Sequence, residues 1–283
     1  MSETIEVRFL SRPEGRISYT VAGAGPLVVA APGMGDLRDS YRDLAGPLIA
    51  AGYRVAVTDL RSHGDSDTGF TDFSDAAVAG DLIALVRELG GPAVLIGSSL
   101  SGAAAAIAAA REPGLVAGVV GLGALLRNPD SPAIVRTVMP LVYRVALARP
   151  WGAAFWGGFY RSINRGRTAP WLDEHVAAVA AKLREPGRLR DLRRLTLALD
   201  HEEAERALPA VRAPMLQVVG LLDPDFPDPA AEAEWFRTLG ARVVEVPEAG
   251  HYPHAQRPDV VVPEVVAFAD GLRSGDEWRM PRA

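Results

Sequence analysis

The chain has no cysteine, which removes disulfides, thiolate nucleophiles and cysteine-ligated metals from consideration. That absence leaves the compartment open, because a cysteine-free chain tolerates either redox environment. It also lacks a surplus of positive charge. Its 30 Lys and Arg stand against 35 Asp and Glu, a net charge of -5, and nucleic acid is not expected as a partner of a chain with no basic face. A membrane span is missing too: the nearest run, Ala93 to Ala110, is interrupted by Gly97-Ser98-Ser99-Leu100-Ser101-Gly102 and dominated by weakly apolar alanine. Met1-Ser2-Glu3-Thr4-Ile5-Glu6 has neither the basic start nor the apolar stretch of a signal peptide. The expectation is a soluble cytoplasmic protein with no membrane partner. No internal repeat and no H-E-x-x-H occurs, and Asp, Glu and His do not pair at ligand spacing, so neither a metal nor a cofactor is expected.

What is present reads as an α/β protein. Hydrophobic residues at 48% against 23% charged argue against disorder, and 283 residues suffice for one large α/β domain with an insertion. Short Val- and Ile-rich runs alternate with longer helical stretches, the pattern of a mostly parallel sheet covered on both faces. Eight strands are expected: Ile5–Leu10, Arg16–Val21, Leu27–Ala31, Arg54–Thr58, Ala93–Ile96, Val116–Leu122, Met215–Val219 and Arg242–Val246. Helices are expected at Leu37–Ala51, Ser74–Leu89, Leu100–Ala110, Ala230–Leu239 and Glu264–Leu272, the last with Pro263 in its first turn and a frayed tail from Ser274 to Ala283.

One stretch breaks the alternation. Residues 125–208 carry helical patterns and many aromatics but no convincing strand, and their length is far beyond an ordinary connection. They are expected to form a helical lid over the ends of the strands, with residues 1–124 and 209–283 as the core. Aromatics there suit the lid's own packing first. An inner face carrying Trp or Phe would favour an apolar acyl or alkyl group, with Trp151, Phe155, Phe159 and Tyr252 as pocket candidates.

The candidate chemistry starts at Gly97-Ser98-Ser99-Leu100-Ser101-Gly102, between an apolar run and an alanine-rich helix. A serine on a sharp strand-to-helix turn needs small residues two positions before and after it, and Gly97 and Ser101 meet that need for Ser99. Ser98 has Ile96 and Leu100 at those offsets, which are too large, and Ser101 would lie half a turn into the helix. The amide of Leu100, at the helix N-terminus, can face a developing oxyanion.

These residues resemble the nucleophile elbow of the α/β-hydrolase superfamily, with Ser101 where many members have a second glycine. Asp59-Leu60-Arg61-Ser62-His63-Gly64-Asp65-Ser66 is similar to the D-x-R-x-H-G-x-S segment after the fourth strand. Ala31-Pro32-Gly33-Met34-Gly35 stands where members carry H-G-x-G, with Pro32 replacing the histidine. Val246-Pro247-Glu248-Ala249-Gly250-His251 resembles the late segment that supplies the catalytic histidine. The resemblance implies His251 as general base, Asp223 as its acid with Asp225 as fallback, and the Met34 amide as second oxyanion donor. His254 is then a packing or hydrogen-bonding residue, and His63 orders its own turn. His175 and His201, in the insertion, read as partly exposed surface histidines, and Asp225 and Asp228 as solvating a proline-rich loop. The function implied is hydrolysis of a small to medium apolar ester or lactone. A thioesterase or C–C bond hydrolase would share the triad, and a ligand receptor or a lyase or cyclase would share the fold.

Overall fold

A strand buried on both faces must be apolar at every position, and Leu27-Val28-Val29-Ala30-Ala31 meets that condition without a break. Leu27, Val29 and Ala31 enter one core and Val28 and Ala30 the other, as the two-residue period of a strand requires. The computed structural model describes residues 6–128 and 133–274, and for 133–137 the backbone alone. The expected strand start at Ile5 and the tail beyond Ser274 lie outside the described residues.

The sheet contains β1 (Val7–Arg12), β2 (Gly15–Ala22), β3 (Leu27–Ala31), β4 (Arg54–Thr58), β5 (Ala93–Ser98), β6 (Val116–Leu122), β7 (Met215–Gly220) and β8 (Arg242–Val246). Their order is β1-β2-β4-β3-β5-β6-β7-β8. Only β1 with β2 and β2 with β4 pair antiparallel; every later pair is parallel. The carboxyl ends of β3, β5, β7 and β8 therefore open on one edge, the place where open parallel sheets bind ligands.

The helices are α1 (Arg42–Ala50), α2 (Asp75–Leu89), α3 (Leu100–Arg111), α4 (Ala133–Ala146), α5 (Gly152–Ile163), α6 (Leu172–Arg184), α7 (Arg188–Ala198), α8 (Glu202–Ala207), α9 (Pro229–Thr238), α10 (Pro253–Gln256) and α11 (Pro258–Ser274). α1 and α11 cover one face of the sheet; α2, α3 and α9 cover the other. In α3 Ala103 to Ala109 are all buried; an all-round apolar helix of small side chains lets the chain pass close to β5 and β6. Local signals set several ends: the Ser74 hydroxyl accepts from the Ala77 amide at 3.2 Å at the start of α2, and Gly90 closes it in the left-handed region at φ 73°.

Three expectations shift. The helix expected from Leu37 begins as a 3₁₀ turn, Arg38–Tyr41, and only then becomes α1. The last helix starts at Pro258 rather than near Glu264, so Pro263 lies inside it. Pro258 suits a first helical position, and Pro263 removes a single backbone bond near the helix start. Asp228 caps α9, its carboxylate accepting from the Ala230 and Ala231 amides at 3.1 Å each, and does not merely solvate its loop.

Between β6 and β7 the described residues form α4 to α8 and a short 3₁₀ turn, Leu208–Ala210. α5, α6 and α7 make a small apolar core of their own around Trp156, Val179, Leu183 and Leu192. α8 packs instead on α3 and α2. Among the described residues no helix is long and apolar enough to cross a membrane.

Candidate active site

Ser99 ends β5 and begins α3 with φ 54° and ψ −124°, a left-handed conformation that a non-glycine residue adopts only under constraint. The sharpness of the turn explains its small neighbours. A Cβ on Gly97 would lie 2.2 Å from the carbonyl of Ser101, so any side chain there would open the elbow. Ser98 and Ser101 are fully buried. Ser99 alone of the three lines a cavity of about 250 Å³ at the carboxyl edge of the sheet.

His251 follows β8, and Asp223 follows β7, the adjacent strand. The His251 Nδ1–H donates to the Asp223 carboxylate at 2.9 Å, and both side chains are buried. That bond fixes the tautomer and turns Nε2 to the other side of the ring. His251 and Ser99 line the same cavity with no hydrogen bond between them among the described residues; such contacts commonly tighten only when substrate binds. Asp225 does more than solvate a loop. It stands 3.5 Å from His251 Nδ1, and burial pushes its carboxyl up, with the Asp223 charge adding to the effect. Burial alone would depress His251, but Asp223 and Asp225 outweigh it and hold the imidazole up to about 9. Asp223, Asp225 and His251 offer ligand atoms within 4.8 Å of one another, but a metal there would displace the Asp223–His251 bond.

The loop after β3 lies against the serine. A Cβ on Gly33 would sit 3.0 Å from the Ser99 Cβ, and Met34 lines the cavity beside Leu100. Met34 and Leu100 amides have no acceptor among the described residues. With proline at 32, the loop is held by other groups. The Ser101 hydroxyl donates to the Pro32 carbonyl at 2.5 Å. His63 does not order only its own turn: its Nδ1–H donates to the Arg61 carbonyl at 2.8 Å, and its Nε2 accepts the Gly35 amide at 2.9 Å. Burial lowers the His63 pKa and so favours the neutral form this acceptor role needs. The Trp156 indole donates to the Gly35 carbonyl at 2.8 Å. This bracing leaves one trace in the sequence, a serine at 101 where Pro32 replaces the loop histidine.

The insertion supplies the opposite wall. Tyr143, Trp156, Phe159, Ile163, Leu199 and His201 of that segment line the cavity, and Tyr252, after β8, lines it too. Trp151 and Phe155 do not; they are 51% and 38% exposed. The buried face of α5 runs through Gly152, Ala153, Trp156, Gly157, Tyr160 and Ile163, and Phe155 lies off that stripe. His175 and His201 are each 1% exposed, which overturns their reading as surface residues. His175 Nε2–H donates to Asp36 at 2.6 Å, and His201 Nδ1–H donates to Asp75 at 2.7 Å. His254 is a packing residue: it stacks on Tyr41 with ring centroids 5.1 Å apart, neither nitrogen hydrogen-bonded, and burial pulls its pKa down to about 4.

Known proteins resemble this chain. The alpha/beta hydrolase family profile covers residues 28–264. A polyketide synthase, ThaQ, of Burkholderia thailandensis is 30% identical over 272 residues, 92% of this chain but 12% of that protein. A 2-hydroxy-6-oxo-6-phenylhexa-2,4-dienoate hydrolase of Burkholderia cepacia is 35% identical over 128 residues, 40% of this chain and 43% of that one. The match thus spans less than half the length of either curated relative. An esterase structure from Thermogutta terrifontis superposes with a TM-score of 0.74 at 24% identity, over 94% of this chain and 99% of that one. Identity at that level carries the fold and not the substrate. The chain belongs to the alpha/beta hydrolase family.

Proposed function

We propose that the protein is a serine hydrolase of a small to medium, largely apolar ester or lactone, with α4 to α7 as a lid over the site. The observation that carries this reading is the placement of Ser99 and His251 on one cavity, with Asp223 on the far nitrogen of the imidazole. Ser99 Oγ attacks the carbonyl carbon and its proton passes to His251 Nε2. The C–O bond to the leaving group then breaks as that proton is delivered to the departing oxygen. Water, deprotonated by His251, attacks the acyl-enzyme and releases the acid and Ser99. The Met34 and Leu100 amides hold the tetrahedral oxyanion; losing one such donor costs about 3 kcal/mol of transition-state stabilisation. Apolar lining from Leu125, Trp156, Phe159, Ile163 and Leu199 supports an apolar substrate.

The test is a panel of acyl esters, lactones and thioesters of graded chain length, with fluorophosphonate labelling of the wild type and Ser99→Ala. Turnover of an ester and labelling of the wild type alone are expected. A wild type that neither turns over nor labels would contradict the reading and leave a receptor on this fold. The relative named for a 2-hydroxy-6-oxo-dienoate favours a second reading, C–C bond hydrolysis with the same residues. Turnover of such a dienoate with the esters inert would move the assignment there.

A further inference from the structure

A second buried Asp–His pair stands on the cavity, apart from His251. His201, just before α8, belongs to the wall that Leu125, Asn128 and Leu199 also form. Its Nδ1 is taken by the carboxylate of Asp75, the first residue of α2. Both side chains are 2% exposed. The other ring nitrogen, Nε2, is buried and has no hydrogen-bond partner. The two nitrogens of an imidazole point to opposite sides of the ring, so a carboxylate on Nδ1 leaves Nε2 directed away from Asp75.

Neighbouring polar groups are already engaged. Asn128 accepts the His201 amide at 2.9 Å on its Oδ1 and donates through Nδ2 to Asp200 at 2.7 Å. It therefore holds His201 in place through both of its polar atoms, and it makes no hydrogen bond to Nε2. A buried polar atom without a partner is destabilising, and a fold retains one where a ligand completes it or where packing compels it.

We propose that His201 is a specificity determinant, and that the substrate carries a hydroxyl, remote from the scissile carbonyl, that pairs with His201 Nε2. The inference rests on the ester reading above and names the substrate class within it: a hydroxylated ester. A hydroxyl fits better than a carbonyl or carboxylate. A neutral imidazole bonded through Nδ1–H presents a lone pair at Nε2, which a hydroxyl satisfies by donating. An imidazolium presents N–H, which the same hydroxyl satisfies by accepting, whereas a carbonyl matches only the charged form. An all-apolar chain would leave Nε2 unsatisfied in the complex, and sites built around a hydrogen bond discriminate against analogues that lack it.

The experiment walks a hydroxyl along the chain of a methyl hexanoate, from C2 to C6, and compares each ester with the unsubstituted one. At one position the wild-type kcat/KM should exceed that for methyl hexanoate by about tenfold, and in His201→Leu that ratio should fall to about one. A wild type with no preference at any position would overturn the proposal, whatever the variant's foldedness. So would a ratio that survives His201→Leu, since a pair that merely bolts α8 to α2 does not sense the substrate's hydroxyl. The same esters are titrated against Ser99→Ala by tryptophan fluorescence, Trp156 lying on the cavity. A hydroxyl preference in Kd with no wild-type turnover would sink the hydrolase reading and retain the hydroxyl site.

Discussion

The cavity has two walls made by different rules. One is the carboxyl edge of the sheet: Ser99 after β5, Met34 after β3 and His251 after β8, with Asp223 behind it after β7. Each follows a strand by a short turn, so strand register places it, and the parallel strands β5 and β7, with β6 between them, bring Ser99 and Asp223, 124 positions apart, to one edge. The other wall is helical, with Tyr143, Trp156, Phe159, Leu199 and His201 presented by α4, α5 and the turns around α8. There the contacts depend on which face a helix turns inward. Reaction chemistry should therefore respond to changes in the first wall and substrate choice to changes in the second.

The largest effect that would sharpen this contrast is at Asp223. Asp223→Asn leaves the shape intact but removes the carboxylate that fixes the His251 tautomer, and kcat should fall by about 10⁴-fold. Steady-state kinetics on the best ester of the panel reads it. A loss below tenfold would transfer the acid role to Asp225, which lies 3.5 Å from the same nitrogen.

Ser101→Ala comes next. Its hydroxyl bond to the Pro32 carbonyl holds the loop that carries the Met34 amide. Loss of that bond should lower kcat by about 10- to 100-fold with KM nearly unchanged, as expected for a slightly misplaced transition-state donor. Equal changes in kcat and KM would assign Ser101 to packing instead.

The strand-edge wall was largely legible in the sequence. Gly97 and Ser101 around Ser99 state a steric requirement, and Asp223 and His251 were implied by the resemblance of their turns to those of the α/β hydrolases. The helical wall was not. Phe155 and Trp156 are adjacent aromatics on one helix, yet Trp156 is 2% exposed and Phe155 38%, because a 100° step per residue separates the stripe that packs from one that does not. His175 and His201 looked like surface residues because their partners, Asp36 and Asp75, lie more than 120 positions away, on loops and helices of the sheet domain. Asp225 was discounted because proline-rich surroundings suggested a solvated turn. Pairing across that distance leaves no local pattern to read.

The smallest effect belongs to the helical wall. Phe159→Ala should raise KM for longer acyl chains by about tenfold with kcat close to wild type, since it removes apolar area from the cavity and no reacting group. Phe155→Ala, one helical turn earlier and off the cavity, should change neither. A fall in kcat at Phe159 as large as that at Ser101 would break the division between the walls.

The most direct test of the central claim is the pH dependence of fluorophosphonate inactivation, with the adduct located by peptide mapping. His251 must be neutral to take the Ser99 proton, and its carboxylate neighbours hold its pKa up to about 9. Falling pH therefore fills the inactive imidazolium. The expected result is one adduct, on Ser99, formed at a rate that climbs with pH and levels off above about 9. An adduct on another residue, or a rate flat from neutral pH to above that value, would contradict it.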